Sequence, residues 1–257
     1  FPGSNCEYDT ARAFRLAGAE PEILVLRNLD AAGLGESLKA LADAISRSQI
    51  LMIPGGFSAG DEPDGSGKFI AAVIKAPIVR DAVMELLKSR DGLALGICNG
   101  FQALIKTGLV PYGEIRDVDA SAPTLFHNRI ARHISRYAHT RVASVKSPWL
   151  ARMEVGQVHT IPLSHGEGRF TAPASVIADL VKNGQVAFQY CDAAGAPSNR
   201  IEFNPNGSLE AVEGITSPCG RVLGKMGHSE RTGANVAKNI PGDKHQPLFQ
   251  GGVDYFA

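Results

Sequence analysis

Three short stretches carry residue types that can do chemistry together. The first is the apolar run L-A-L-G-I at 93–97, which ends in Cys98, with Gly96 and Gly100 two residues to either side. This spacing predicts strand, sharp turn and helix, the nucleophile-elbow arrangement with a cysteine at its tip. Glycines let such a turn close because they lack Cβ atoms. A helix starting at Asn99 would aim its free N–H groups and positive dipole end at the sulfur and favour the thiolate. On the cysteine alone, a small buried hydrophobe at a strand end remains the competing reading.

A cysteine nucleophile needs a base, and the base needs a group that orients it. Of the seven histidines, His228 stands out: G-K-M-G-H-S-E at 224–230 follows an apolar strand, and Glu230 lies two residues further on. In extended backbone that spacing points both side chains the same way. A carboxylate there would fix the imidazole tautomer and stabilise the imidazolium; a solvated polar turn has the same composition. The third stretch is P-G-G-F-S at 54–58, closing another apolar run. Backbone N–H groups bared at the carboxyl edge of a sheet lie where open α/β folds bind ligands, and two of them can hold a developing oxyanion. A plain strand-to-loop turn is the alternative.

The elements that must position these groups follow from hydrophobic periodicity. Residues 8–17 have a helical rhythm, 22–26 form a short apolar run suited to a buried strand, and 37–46 repeat apolar residues on one helix face. Residues 49–53 predict the next buried strand. Residues 82–88 predict a helix that feeds the strand at 93. Alternation of this kind argues for a parallel sheet covered by helices on both faces. Beyond Pro111 the texture changes to short strands at 140–145, 158–163, 187–190, 210–215 and 221–225, with N-P-N-G at 204–207 as a turn between two of them. The expected fold is α/β, a mostly parallel sheet flanked by helices with an antiparallel extension. Residues 232–257 predict a helix with a loose tail.

Composition narrows the function classes. Lys plus Arg equals Asp plus Glu at 26 each, which makes nucleic acid and anionic membranes unexpected partners. No apolar stretch approaches the roughly 18 residues of a membrane span. Cysteines at 6, 98, 191 and 219 show no C-x-x-C spacing, so neither a zinc site nor a secreted disulfide framework is expected, and a reducing cytoplasm fits. No G-x-x-x-x-G-K-[ST] occurs to cradle a nucleotide phosphate.

P-G-G at a strand end, G-I-C-N-G-F-Q at 96–102 and a late H-S-E together resemble the class I (triad) glutamine amidotransferases, whose fold is flavodoxin-like. F-P-G-S-N-C at 1–6, G-G-F-S-A-G-D at 55–61, N-R-I-A-R at 128–132, S-H-G-E-G-R-F at 164–170 and N-P-N-G-S at 204–208 are similar to the glutaminase domains of the phosphoribosylformylglycinamidine synthases. The resemblance implies that residues 1–257 form one glutaminase domain, the C-terminal part of a longer synthase chain. It implies Cys98 as nucleophile, His228 as base and acid, and Glu230 as its orienter. Gly56, Phe57 and Asn99 would supply oxyanion N–H groups. Gln102 would contact the L-glutamine substrate, and Asn128, with the loop at 164–166, would hold its amino-acid end or border the interface. His165 and Glu167 are expected to shape the pocket, and Cys6, Cys191 and Cys219 to be structural. No cofactor is expected in this domain; ATP and Mg2+ belong with a synthase partner that consumes the ammonia. A free-standing cysteine hydrolase and a silent docking domain are the competing readings.

Overall fold

A computed structural model of the chain describes residues 1–57 and 67–257. Its strands are β1 (Ile50–Ile53), β2 (Leu93–Ile97), β3 (Thr124–His127), β4 (Ile134–Val142), β5 (Val158–His165), β6 (Glu167–Thr171), β7 (Val186–Tyr190), β8 (Val212–Thr216) and β9 (Val222–Lys225). Seven of them form one sheet in the order β1-β2-β9-β8-β7-β4-β5, and β3 pairs with β6 in a second, antiparallel ribbon. β1, β2 and β9 run parallel. From β8 onward every neighbour is antiparallel. The extension therefore returns through β9 into the parallel part, which brings the late histidine segment beside the elbow.

The helices are α1 (Glu7–Leu16), α2 (Ala31–Arg47), α3 (Lys68–Lys75), α4 (Pro77–Lys88), α5 (Asn99–Thr107), α6 (Leu109–Tyr112), α7 (Ala174–Lys182) and α8 (Leu248–Asp254). Leu93, Ala94, Leu95 and Ile97 of β2 are fully buried, as a parallel strand covered on both faces requires. α5 packs across β1, β2 and β9. It can approach only because residue 100 is glycine: a Cβ there would lie 2.0 Å from the carbonyl oxygen of Ile53. Among the described residues no helix is long and apolar enough to cross a membrane.

Several expected elements differ. Residues 22–26 form no strand, because an apolar run becomes one only where a ladder takes up its N–H and C=O groups; here Leu26 alone is buried while Val25 is exposed. The segment 232–247 is irregular and only α8 is helical near the end. It is also not loose: Asp243 O accepts from Thr160 N at 2.6 Å, and Gln246 is buried against Ser229 and Thr140. N-P-N-G at 204–207 lies, as expected, in the connection between two antiparallel partners, β7 and β8, but as part of a long loop and not a tight turn. Asn204 and Asn206 are buried and bond Ser208, Gly168 and the Tyr190 hydroxyl, tying β6 to β7. α3 and α7 escaped the periodicity reading, the first because it follows directly on a glycine-rich stretch, the second because it is only nine residues long.

Candidate active site

Cys98 sits between β2 and α5 with φ 54° and ψ −107°, a conformation an L-residue adopts only when its surroundings impose it. Two backbone bonds do so. The Cys98 N–H donates to Lys225 O in β9 at 2.8 Å, and its carbonyl accepts from Gln102 N at 3.1 Å, opening α5. The thiol is nearly buried and donates to the Ser164 carbonyl at the end of β5, at 3.5 Å.

His228 and Glu230 follow β9 in the buried loop at 226–231. His228 Nδ1 lies 2.6 Å from Glu230 Oε1, and the His228 N–H donates to Pro162 O of β5 at 2.9 Å. His228 Nε2 is buried without a hydrogen-bond partner among the described residues. Burial pulls the imidazole pKa down, but the Glu230 carboxylate, aided by the sulfurs of Cys98 and Cys6, outweighs it and holds the ring well above its ordinary value. Burial likewise pushes Glu230 up, and His228 more than reverses this, so the carboxyl stays below its usual range. A Cβ on Gly55 would lie 2.8 Å from His228 Cε1, 3.2 Å from Cys6 Sγ and 3.3 Å from Cys98 Cβ. His228, Cys98 and Cys6 thus converge over the bare backbone of the P-G-G turn.

A buried ion pair fixes the histidine loop. Lys225 and Glu213 are wholly buried with Nζ and Oε1 3.3 Å apart. The Lys225 ammonium donates to Gly227 O at 2.7 Å and Ser229 Oγ at 2.9 Å, while Glu213 accepts from Gly227 N at 2.6 Å. The sequence signal was available: a lysine and a glutamate inside apolar strands, V-L-G-K and V-E-G-I-T, must find partners there. Cys6, expected to be structural for want of a base, instead lies 3.9 Å from His228 Nδ1. No spacing rule links residues 222 apart.

The remaining expected residues divide. Gly56 has φ 132° and bridges Ser4, whose Cα a Cβ at position 56 would meet at 2.6 Å. The Phe57 N–H, expected to face an oxyanion, donates to Gly3 O at 2.8 Å and is committed in this conformation. Ser58 lies outside the described residues. Asn99 is buried in the first turn of α5. Gln102 donates from Nε2 to Glu167 O at 2.6 Å, and its Oε1 is buried without a partner among the described residues. Asn128 is engaged on both ends of its amide: Nδ2 donates to His165 O and Arg132 O, and Oδ1 meets His165 Nδ1 at 3.1 Å. It therefore braces the 164–166 loop. His165 is fully buried, and burial, with His228 and His133 nearby, drops its pKa to about 3, which leaves it neutral and poorly suited to be the base.

A strained cysteine at a strand-to-helix turn, with a carboxylate-held histidine brought in from a late loop, is an acyl-transfer geometry shared by several folds. A model of the CobB/CobQ-like glutamine amidotransferase domain matches residues 1–256. The chain belongs to that family. The amidotransferase is 37% identical over 231 residues to phosphoribosylformylglycinamidine synthase subunit PurQ of Methanococcus maripaludis, covering 90% of this chain and 79% of the relative. It is 34% identical over 254 residues to the subunit of the same name from Rhodospirillum rubrum, covering 99% and 96%. Among solved structures it resembles a chain of PurLQS from Thermotoga maritima with a TM-score of 0.69 and 25% identity, covering 100% of the amidotransferase and 96% of that chain. The glutaminase domain of Trypanosoma brucei CTPS, at TM-score 0.52 and 14% identity, covering 96% and 88%, shares the fold.

Proposed function

We propose that the amidotransferase is the glutaminase of a phosphoribosylformylglycinamidine synthase, and that residues 1–257 act as one unit against a synthase partner. The observation that carries this reading is the placement of Cys98, His228 and Glu230 on one site in a chain that is 34% identical, nearly end to end, to a subunit of that synthase. The Cys98 thiolate attacks the side-chain amide carbon of L-glutamine. Negative charge develops on the carbonyl oxygen, and the N–H groups of Gly56 and Asn99 are the candidates to receive it. The imidazolium of His228 gives its proton to the departing nitrogen, and ammonia leaves a thioester on Cys98. His228 then takes a proton from water, which attacks the thioester and releases glutamate. Glu230 keeps Nδ1 protonated throughout, so that Nε2 does the transfers. Gln102, with its unpartnered Oε1, contacts the substrate, and Asn128 acts through the loop it braces.

The ammonia passes to the synthase, where ATP and Mg2+ drive the conversion of formylglycinamide ribonucleotide to the amidine; this domain needs no cofactor of its own. A cytoplasmic setting suits its four free cysteines. The test is glutamate release from L-glutamine, together with labelling by a glutamine-derived electrophile and mass mapping of the adduct. Modification of Cys98 with glutamine-protectable kinetics is expected. Modification spread over Cys6, Cys191 and Cys219, or no glutamate release in the presence of a loaded synthase, overturns the proposal.

A further inference from the structure

A second sulfur lies on the Nδ1 side of His228. Cys6, wholly buried just before α1, has its Sγ 3.9 Å from His228 Nδ1, 3.0 Å from Arg231 Nη2 and 3.2 Å from Asn5 Oδ1. Chemistry sorts these contacts. Asn5 Oδ1 can only accept, so it takes the single S–H; the guanidinium can only donate, so the sulfur accepts from it. Sulfur lone-pair density is what remains to face the imidazole. The Nδ1–H, whose main acceptor is Glu230 Oε1 at 2.6 Å, therefore meets a second and weaker one.

Donor atoms of Cys6, His228 and Glu230 lie within 4.8 Å of one another, a spacing a metal ion could also use. Here a guanidinium already occupies the sulfur and a 2.6 Å hydrogen bond joins the other two, which makes the cluster a hydrogen-bond network.

We propose that Cys6 is a positioning residue of the triad: its sulfur, fixed by Arg231 and Asn5, steadies the His228 ring and favours its protonated form. This rests on Cys98, His228 and Glu230 being the catalytic set. Among the described residues, the charged and titratable groups around the imidazole are Glu230 and Arg231 from its own loop, Cys98 from the elbow, Cys6 from the N-terminal loop and the neutral His165 from β5. Deleting the sulfur removes an acceptor from the Nδ1 side of the ring. That disfavours the imidazolium, so the His228 pKa is expected to fall.

The experiment is an NMR titration of 15N-histidine-labelled full chain, comparing wild type with Cys6→Ala and Cys6→Ser, alongside the pH profile of kcat/KM for glutamate release. In Cys6→Ala the His228 titration is expected to move down by about half a unit, roughly a threefold loss of imidazolium stability. The alkaline limb of kcat/KM should move with it while KM stays near wild type. Cys6→Ser, whose shorter hydroxyl reaches the ring less well, should shift in the same direction and serves alone if the alanine variant does not fold. An unmoved His228 titration in the folded variant overturns the inference, whatever the activity does. A shifted titration in a protein that releases no glutamate even with loaded synthase supports the role of Cys6 and overturns the glutaminase proposal instead.

Discussion

Cys98 holds a positive φ that costs on the order of 1–3 kcal/mol, and only the sulfur gives that strain a use. Cys98→Ala is expected to fold normally and to lose glutamate release to the assay background. Normal turnover by the folded variant would sink the assignment. His228→Ala should cost about a hundredfold to ten-thousandfold in kcat, and Glu230→Gln less, since the imidazole remains but loses tautomer control. Much greater damage from His165→Ala than from His228→Ala would show that the base was misassigned. Buried neutral histidines also predict acid sensitivity. Burial lowers His165 to about 3 and His159 to about 4, below their unfolded value of roughly 6.5. The unfolded chain therefore binds protons first as pH falls, and stability present above about pH 6.5 is lost progressively toward those folded values. Melting temperature should decline across that window, and His159→Gln should flatten the decline.

Among the elements, β8 and β9 hold the loop that carries His228 and Glu230 through Lys225 and Glu213. Removing one partner of such a buried pair strands the other charge and typically costs about 3–5 kcal/mol. Urea unfolding of Lys225→Met should show a loss of that order. The double variant Lys225→Met, Glu213→Leu should regain part of the stability but little activity, because Gly227 and Ser229 lose their anchors either way. Full recovery of turnover by the double variant would show that the pair does not position the triad. The elbow, the H-S-E segment and the P-G-G turn were legible in the sequence because glycine spacing and strand ends are local signals. The run at 22–26 misled because apolar content records burial preference, not whether a ladder is available to pair with it. For Asn128, expected to hold the amino-acid end of the substrate or to border the interface, the motif does not reveal that both ends of its amide are bonded within the chain. Cys6 was invisible as a neighbour of His228: α1 and the loop after β9 meet only in three dimensions.

The whole molecule joins its N-terminal loop to the P-G-G turn. Ser4 bridges Gly56, and Gly3 O takes the Phe57 N–H, so these two segments are held against each other by backbone contacts. Ammonia released into neutral water is mostly protonated and no longer a nucleophile, so a glutaminase gains from firing only when the acceptor is loaded. The isolated chain is accordingly expected to turn over slowly, and addition of synthase with nucleotide and formylglycinamide ribonucleotide should raise kcat for glutamate release. Equal turnover in both settings would show that the site is permanently formed. The bond from Phe57 to Gly3 also gives this enzyme a built-in clock. While the bond is closed, that one amide proton is shielded from deuterium; whenever the peptide turns to face a substrate, it becomes open to exchange. Its exchange rate thus counts openings of the turn in the absence of any glutamine, and a partner that speeds the chemistry by priming the turn must also shorten the lifetime of that single proton.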